Sequence, residues 1–401
     1  MSAILSVRRL PSSTLFAISA FLLLSLYLLS TRRESVPYFD TRRARPPPPD
    51  ITDDIFNSTL GFEKIFVVGL PSRTDRRDGM VLQAALSNIE VEFIDGVLGK
   101  DVPDKALPST QELKRLEDAV VGAWRGHMNA IQEVVRRNLS SALIMEDDAD
   151  WDVRIRQQLH DYALAARALT QPLAGSSNST PVYADVTYPR AENGPSTVPD
   201  IEFDNLPATV TPKISPYGDD WDLFWAGHCG MHFPFSYGPA LPKGRVVHRN
   251  DSTAPQKRHL WTISSPYDLK DQYPDHTRVV HHVQDACCSL AYAVTQAGAR
   301  RILREVGLKD MNEPFDLQLK SFCEGSGKPV RGPHNCLTVQ PPLFNLHFSA
   351  GPKAAASDIS DHGEGYQHEW TSMTRYSVRL NADALLDGRT DQLVDQLPDA
   401  E

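Results

Sequence analysis

Residues 111–137 put Leu113, Leu116, Val120, Trp124, Ile131 and Val134 at spacings of three, four and seven, with His127 in the long gap. That is the period of a helix burying one stripe. Shortly after comes Ala142–Met145 (ALIM), an apolar run too short for a helix, which ends abruptly in Glu146-Asp147-Asp148. A long amphipathic helix feeding a short apolar strand restricts the chain to α/β architectures. The alternation begins earlier, with a strand at Lys64–Leu70 (KIFVVGL), a helix at Met80–Leu86 and a strand at Val91–Ile94. It resumes with a helix at Ile155–Leu169 and strands at Asp222–Ala226 (DLFWA) and Ser289–Val294. A helix at Gln296–Val306 and a strand within 341–348 complete it. Gly122 is expected to divide the long helix.

Residues 171–220 lack periodicity, and prolines crowd the region from Pro172 to Pro274. Two loop-rich inserts, 171–220 and 235–285, are therefore expected within a catalytic-sized body spanning 61–365. The polar, acidic residues 366–401 read as a frayed tail. Order is expected to begin near Phe62.

Thr14–Ser30 carries no charge and lies between Arg8/Arg9 and Arg32/Arg33. At a rise of about 1.5 Å per residue it spans roughly 26 Å, enough for a thin bilayer core. The reading is a short cytoplasmic tail (1–13), one transmembrane anchor (14–30) and a Pro/Arg-rich stem (31–60). A cleaved signal peptide is the competing reading, although Leu28 sits badly three positions before a cut after Ser30. The sequons at Asn57, Asn138, Asn178 and Asn250 all follow the span, which favours a luminal body in the Golgi or ER.

The net charge is −10, and the first fifty residues are basic, so the body is more acidic still. Such a surface excludes a duplex-binding protein, whose affinity rests on Lys and Arg against phosphate. All five cysteines lie from Cys229 onward. In an oxidising lumen Cys323–Cys336 closes a small loop and Cys229 pairs with Cys287 or Cys288, leaving an odd thiol.

The acid triplet carries the chemistry. In open α/β sheets ligands bind beyond the carboxyl ends of the strands, where a buried ALIM strand delivers its last side chains. On strand alternation Glu146 and Asp148 project the same way, giving hard oxygens for Mg²⁺ or Mn²⁺ and, through the ion, a grip on a diphosphate. Arg73-Thr74-Asp75-Arg76-Arg77 follows the first strand, where arginines pair with phosphate or with Asp75, or Asp75 caps a helix and the arginines stay exposed. A solvated turn with exposed arginines is the bland reading of the same residues.

Taken in order, EKIFVVGLPSRTDRRDGM, GAWRGHMNAIQEVV, SALIMEDD, DWDLFWAG, SLAYAVTQAGARRIL, EPFDLQL and PPLFNLHFSAGPKAAASDI resemble glycosyltransferase family 25 across about residues 62–362. The resemblance implies a GT-A type fold: a Rossmann-like mixed sheet flanked by helices, here with Pro-rich inserts and the N-terminal membrane helix. It also implies a UDP-sugar donor, often UDP-galactose, Mn²⁺ dependence, inversion at the anomeric carbon, and a glycan or glycoprotein acceptor. By the same resemblance Glu146, Asp147 and Asp148 fall on the acidic motif, with Asp148 and Glu146 touching metal. Arg73, Asp75 and Arg76 fall on the R-x-D-R element at the donor. His127, Asp316 and Ser357-Asp358 fall on later motifs. The chain departs at Gly69, where the family usually shows Asn, at Ala123 in place of Cys, and at Gly126 in place of Ser.

Inversion needs a base for the acceptor hydroxyl, for which Asp316 is the candidate and His127 the substitute. His127 also fits a core position on its apolar stripe. Asp222 either touches the donor sugar or ends a strand, and His281, His282 and Asp285 are candidates for the acceptor side. Two rival readings are a metal-dependent phosphohydrolase and a catalytically silent sugar-binding protein of the same fold.

Overall fold

Within each apolar run, successive side chains divide between two cores. Ile65 and Val67 join one cluster and Phe66 and Val68 the other; Leu143 and Met145 part from Ala142 and Ile144 in the same way. A sheet so patterned is buried on both faces. The structure, a computed structural model, describes residues 50–400 apart from 109–113, 178, 191–193, 238–239, 310, 327–331, 356 and 360–362.

The chain begins with β1 (Lys64–Gly69), α1 (Thr74–Leu86), β2 (Glu92–Asp95), α2 (Asp118–Arg136) and β3 (Ser141–Glu146). Next come β4 (Ala149–Trp151), α3 (Ile155–Thr170), β5 (Ile201–Glu202), β6 (Leu223–Gly227), β7 (Gly230–His232) and β8 (Arg245–His248). Then follow α4 (Asp268–Gln272), β9 (Arg278–His282), β10 (Gln284–Cys287), β11 (Ala291–Thr295), α5 (Gln296–Ile302), α6 (Phe315–Glu324) and β12 (Cys336–Gln340). The last elements are β13 (Phe344–Phe348), β14 (Gly351–Pro352), β15 (Tyr366–Gln367), β16 (Trp370–Thr371) and α7 (Ala382–Leu386).

The central sheet has the order β2-β1-β3-β11-β6-β12-β9-β8-β5. It is mixed: β1 runs parallel to β2 and β3, while β11 is antiparallel to both β3 and β6. Helix α3 packs on one face; α2, α5 and α6 cover the other, where Trp124, Trp225 and Tyr292 are fully buried. A small sheet, β16-β13-β4, grows directly out of the acid turn after β3.

Several expectations change. Gly122 does not break the long helix; α2 runs through it. A Cβ there would lie 2.7 Å from the Val97 carbonyl oxygen, and one at Gly126 would lie 2.9 Å from Val68 Cγ1. Gly122 lets the helix approach the loop after β2, and Gly126 lets it approach β1, which accounts for Gly126 in place of Ser. The 235–285 insert is not merely loop, since it supplies β8 and β9 to the central sheet.

Among the described residues the first element is a 3₁₀ turn, Ile51–Phe56, ahead of the expected start near Phe62, and it buries Ile55. The C-terminal segment is packed rather than frayed. Asn381 and Val394 bond each other, Gln396 donates to the Thr371 carbonyl, and Arg375 pairs with Asp395. Polar residues there read as solvated but are consumed by one another.

Cys323–Cys336 forms as expected, Cys229 takes Cys288, and Cys287 is the free thiol. Among the described residues no helix is long and apolar enough to cross a membrane. The expected anchor at 14–30 and the sequon at Asn178 lie outside the described residues; Asn57, Asn138 and Asn250 are exposed.

Candidate functional site

Strand β3 stops at Glu146, and Asp147-Asp148 form a turn before β4. Alternation therefore ends one residue too early for Glu146 and Asp148 to project together. Instead Asp147 and Asp148 converge on Arg76 from the first turn of α1, whose Nη1 lies 2.8 Å from Asp147 and 2.9 Å from Asp148. Glu146 turns the other way: it accepts a hydrogen bond from Ser289 at 2.8 Å and faces His127 Nε2 at 3.4 Å.

Environment separates the three acids. Burial pushes Asp148 up to about 6, helped by the charges of Glu146 and Asp147 and resisted by Arg76 and Arg379. Burial also raises Asp147 against the pull of Arg76. For Glu146 burial works upward too, but the hydrogen bond and charge of His127, with Ser289 and Arg76, hold it below its ordinary value.

A divalent cation can be tested against these atoms. Asp148 Oδ1 is buried without a hydrogen-bond partner, and such an oxygen calls for a proton or a cation. No group of three His, Cys, Asp or Glu among the described residues could enclose a metal. The donor set fits a cation shared with a diphosphate and water, held by Asp148 beside Asp147, rather than one caged by protein. Glu146, expected as a metal ligand, is spent on His127 and Ser289.

Arg73 makes two bonds to Asp75, at 3.0 and 2.8 Å, and a third to Asp358 at 2.5 Å. The loop after β1, the acid turn and the Ser357-Asp358 motif thus form one arginine–carboxylate lattice. Residues 62–183, which contain the first two of these, match the profile of "Glycosyltransferase family 25 (LPS biosynthesis protein)". This segment is similar to glycosyltransferase family 25.

Over 114 residues the chain is 29% identical to procollagen galactosyltransferase 2 of Mus musculus, covering 25% of this chain and 18% of that protein. It is 26% identical over 121 residues to procollagen galactosyltransferase 1-B of Xenopus laevis (26% and 20%). It is 30% identical over 113 residues to inactive glycosyltransferase 25 family member 3 of Homo sapiens (25% and 19%). The chain therefore spans about a fifth of the length of the curated relatives it matches.

The family 25 segment explains its own departure at Gly69. A Cβ there would lie 2.0 Å from Asp147 Oδ2, so the missing side chain is the space that Asp147 occupies on its way to Arg76.

The remaining expected residues divide. Asp316, half-buried in the first turn of α6, accepts the Cys288 N–H at 2.7 Å, one residue from the Ser289 that holds Glu146. It therefore stands at the carboxyl edge with the acids. His127 is 2% exposed, stacks on Phe315 with centroids 4.4 Å apart, and meets the Tyr292 hydroxyl at 3.1 Å. It sits behind Glu146 as a positioning group, not as an accessible base.

Asp222 is a correction. It precedes β6 at the level of Ser141, the opposite end of the sheet, where Arg301 and the Asn335 N–H take its carboxylate. Five residues of strand, roughly 16 Å, separate that level from Glu146. His281 and His282 are also withdrawn, being 0% and 2% exposed. Asp285 remains on the surface beside Lys320, at 3.4 Å.

The C-terminal segment supplies a residue that sequence reading missed. Arg379 donates to the Asp147 carbonyl and to Gln83, which in turn donates to the fully buried Asp150. A Cβ on Gly79 would lie 2.6 Å from its Nη1, so α1 is hollowed to admit it. An open hollow of about 340 Å³ bounded by His232, Arg245 and Asp268 lies beside β8. Strand β8 is five strands from β3, roughly 24 Å across the sheet, while His232 at the hollow's rim lies 3.9 Å from Asp285.

Proposed function

We propose that this chain is a metal-dependent inverting glycosyltransferase of GT-A type, moving a sugar, galactose first among candidates, from a UDP-sugar to a glycan or glycoprotein acceptor. The observation that carries the reading is the unpartnered, buried Asp148 Oδ1 beside Arg76 at the carboxyl end of β3, inside the family 25 segment. Arg73 and Arg76 exchange part of their carboxylate pairing for phosphate oxygens, a swap between like-charged partners that suits guanidinium geometry. Asp148 and Asp147 would hold a divalent ion, whose charge would offset that of a leaving diphosphate.

Asp316 takes the proton of the acceptor hydroxyl. Its Oδ2 is fixed by the Cys288 N–H, so the carboxylate is oriented before substrate arrives. Glu146, fixed by His127 and Ser289, keeps the floor of the site negative and the cation in place. The uncharged run at 14–30 and the exposed sequons support a single-pass protein with its body in the Golgi or ER lumen.

The test is release of UDP by the purified chain with Mn²⁺ across a panel of UDP-sugars. Turnover with one sugar, lost in Asp148→Ala together with donor binding, is the expected result. No UDP release from any donor, with donor binding unchanged in Asp148→Ala, would overturn the reading. A second reading is a silent binding protein, favoured by Arg76 filling the space between both acids and by the similarity to an inactive family member. Binding of UDP without turnover of any donor would select it.

A further inference from the structure

Beyond the acid turn the chain builds a surface that the donor chemistry leaves unused. Strand β13 bonds to that turn through backbone: the His347 N–H donates to the Asp148 carbonyl at 2.9 Å, and Leu346 pairs with Ala149. The Asp148 carboxylate stays available to Arg76. Across β13 lies β16, with His347 opposite Thr371 and Phe348 opposite Trp370.

Alternation gives this ribbon two different faces. The inner face is polar and locked. His347 Nδ1 meets the Thr371 hydroxyl at 3.0 Å, that hydroxyl donates to the fully buried Asp150 at 2.6 Å, and His347 Nε2 faces Glu369 at 3.3 Å. The outer face carries Phe348 and Trp370, stacked with centroids 4.7 Å apart and planes within 3°. Phe348 covers one side of the indole, yet Trp370 is still 38% exposed. The preceding residue, Glu369, has a half-exposed carboxylate. Tyr366, 63% exposed, stands on the same arm.

An exposed tryptophan on a rigid strand costs apolar area that folding would normally recover. Held flat by a neighbouring ring, it matches a pyranose, whose C–H groups on one sugar face pack on the π surface. A peptide anchor would need an apolar hollow here, and a nucleobase would need the arginine side of the turn. We infer that the Phe348–Trp370 pair is a saccharide subsite for the acceptor, binding one neutral pyranose ring beside the acid turn. The inference rests on the glycosyltransferase reading for the word acceptor, but not for the binding of sugar.

The test uses the full chain in detergent, with saturation-transfer NMR on lactose, N-acetyllactosamine and chitobiose, and a separate titration of UDP with Mn²⁺. At least one saccharide is expected to bind through its ring C–H protons. Trp370→Ala should weaken it about tenfold, and Trp370→Phe should restore most of that. UDP affinity should stay within about twofold in both variants, and the thermal melt of Trp370→Phe should match that of the parent. Failure of all three saccharides to bind, or unchanged saccharide binding in Trp370→Ala, overturns the subsite. So does loss of UDP binding in Trp370→Ala, which would assign the ring to the nucleobase. Sugar binding that depends on Trp370 with no UDP binding by the parent chain would instead sink the glycosyltransferase reading and leave the subsite standing.

Discussion

Gly69 shows how much one absent side chain can decide. With its Cβ position only 2.0 Å from Asp147 Oδ2, Gly69→Ala must swing that carboxylate off Arg76. The expected cost is about 1–3 kcal/mol of stability, read from urea melts, with a fall in UDP affinity alongside; an unchanged melt would mean that Asp147 has another resting place. Asp148 behaves in the opposite sense. Its folded pKa of about 6 lies above the ordinary 3.8, so its contribution to stability is full below pH 4 and is lost as pH rises through 6. At pH 7.5 without divalent ions the ionised carboxylate is therefore a burden. Asp148→Asn should raise the melting temperature by about 2–4 °C while abolishing stabilisation by Mn²⁺ with UDP. A lower melting temperature in the variant would show that its pairing with Arg76 outweighs burial. Strain of this kind at a site is the usual exchange of stability for activity.

At the scale of elements, the strongest sequence signals proved structural ones. ALIM and KIFVVGL became β3 and β1 because a strand buried on both faces must be apolar throughout, and the acids had to emerge at its end. What stayed illegible was polar and non-local. Arg379 looks like any arginine in a polar tail, and nothing in its neighbourhood announces Gln83 or Gly79, some three hundred residues earlier. Asp222 precedes a strand instead of following one, and only sheet direction shows which edge it joins. His127 sat on an apolar stripe, and the core reading of that stripe was the right one. Arg379 yields a test at this scale. As a half-buried cation beside Asp147, Asp148 and Asp150, bonded to Gln83 and the Asp147 carbonyl, it should cost about 2 kcal/mol when replaced by Met. Arg389→Ala, an exposed pair with Asp387, should change stability by less than about 0.5 kcal/mol. Equal effects in urea melts would mean that the C-terminal segment is an appendage and not part of the site.

Across the whole molecule, the sheet extends past the acid turn into a second region held by neutral histidines. His228, His281 and His282 are all buried. Burial drives His228 and His282 down to about 4 and His281 well below its ordinary value; Lys243, Arg245 and the other histidines push the same way, and Asp185 opposes for His282. His228 Nδ1 and His282 Nε2 have no hydrogen-bond partner, so neither can accept a proton without a buried, unpaired charge. Unfolding would return all three to about 6.5. The unfolded chain therefore binds more protons between pH 6.5 and 4, and the stability present above 6.5 drains away as pH falls through that window. Three groups together give a slope of about 4 kcal/mol per pH unit at its steepest, partly offset between pH 6 and 4 by Asp148, whose sign is opposite. The melting temperature should be flat above pH 7 and fall steeply from 6.5 to 4.5. His228→Gln, which keeps a donor for the Val339 carbonyl, should flatten that fall by about a third. A melting temperature that holds steady from pH 7 to 5 would mean that these histidines find water or a counter-charge on protonation, and that this end of the sheet opens more readily than its packing implies.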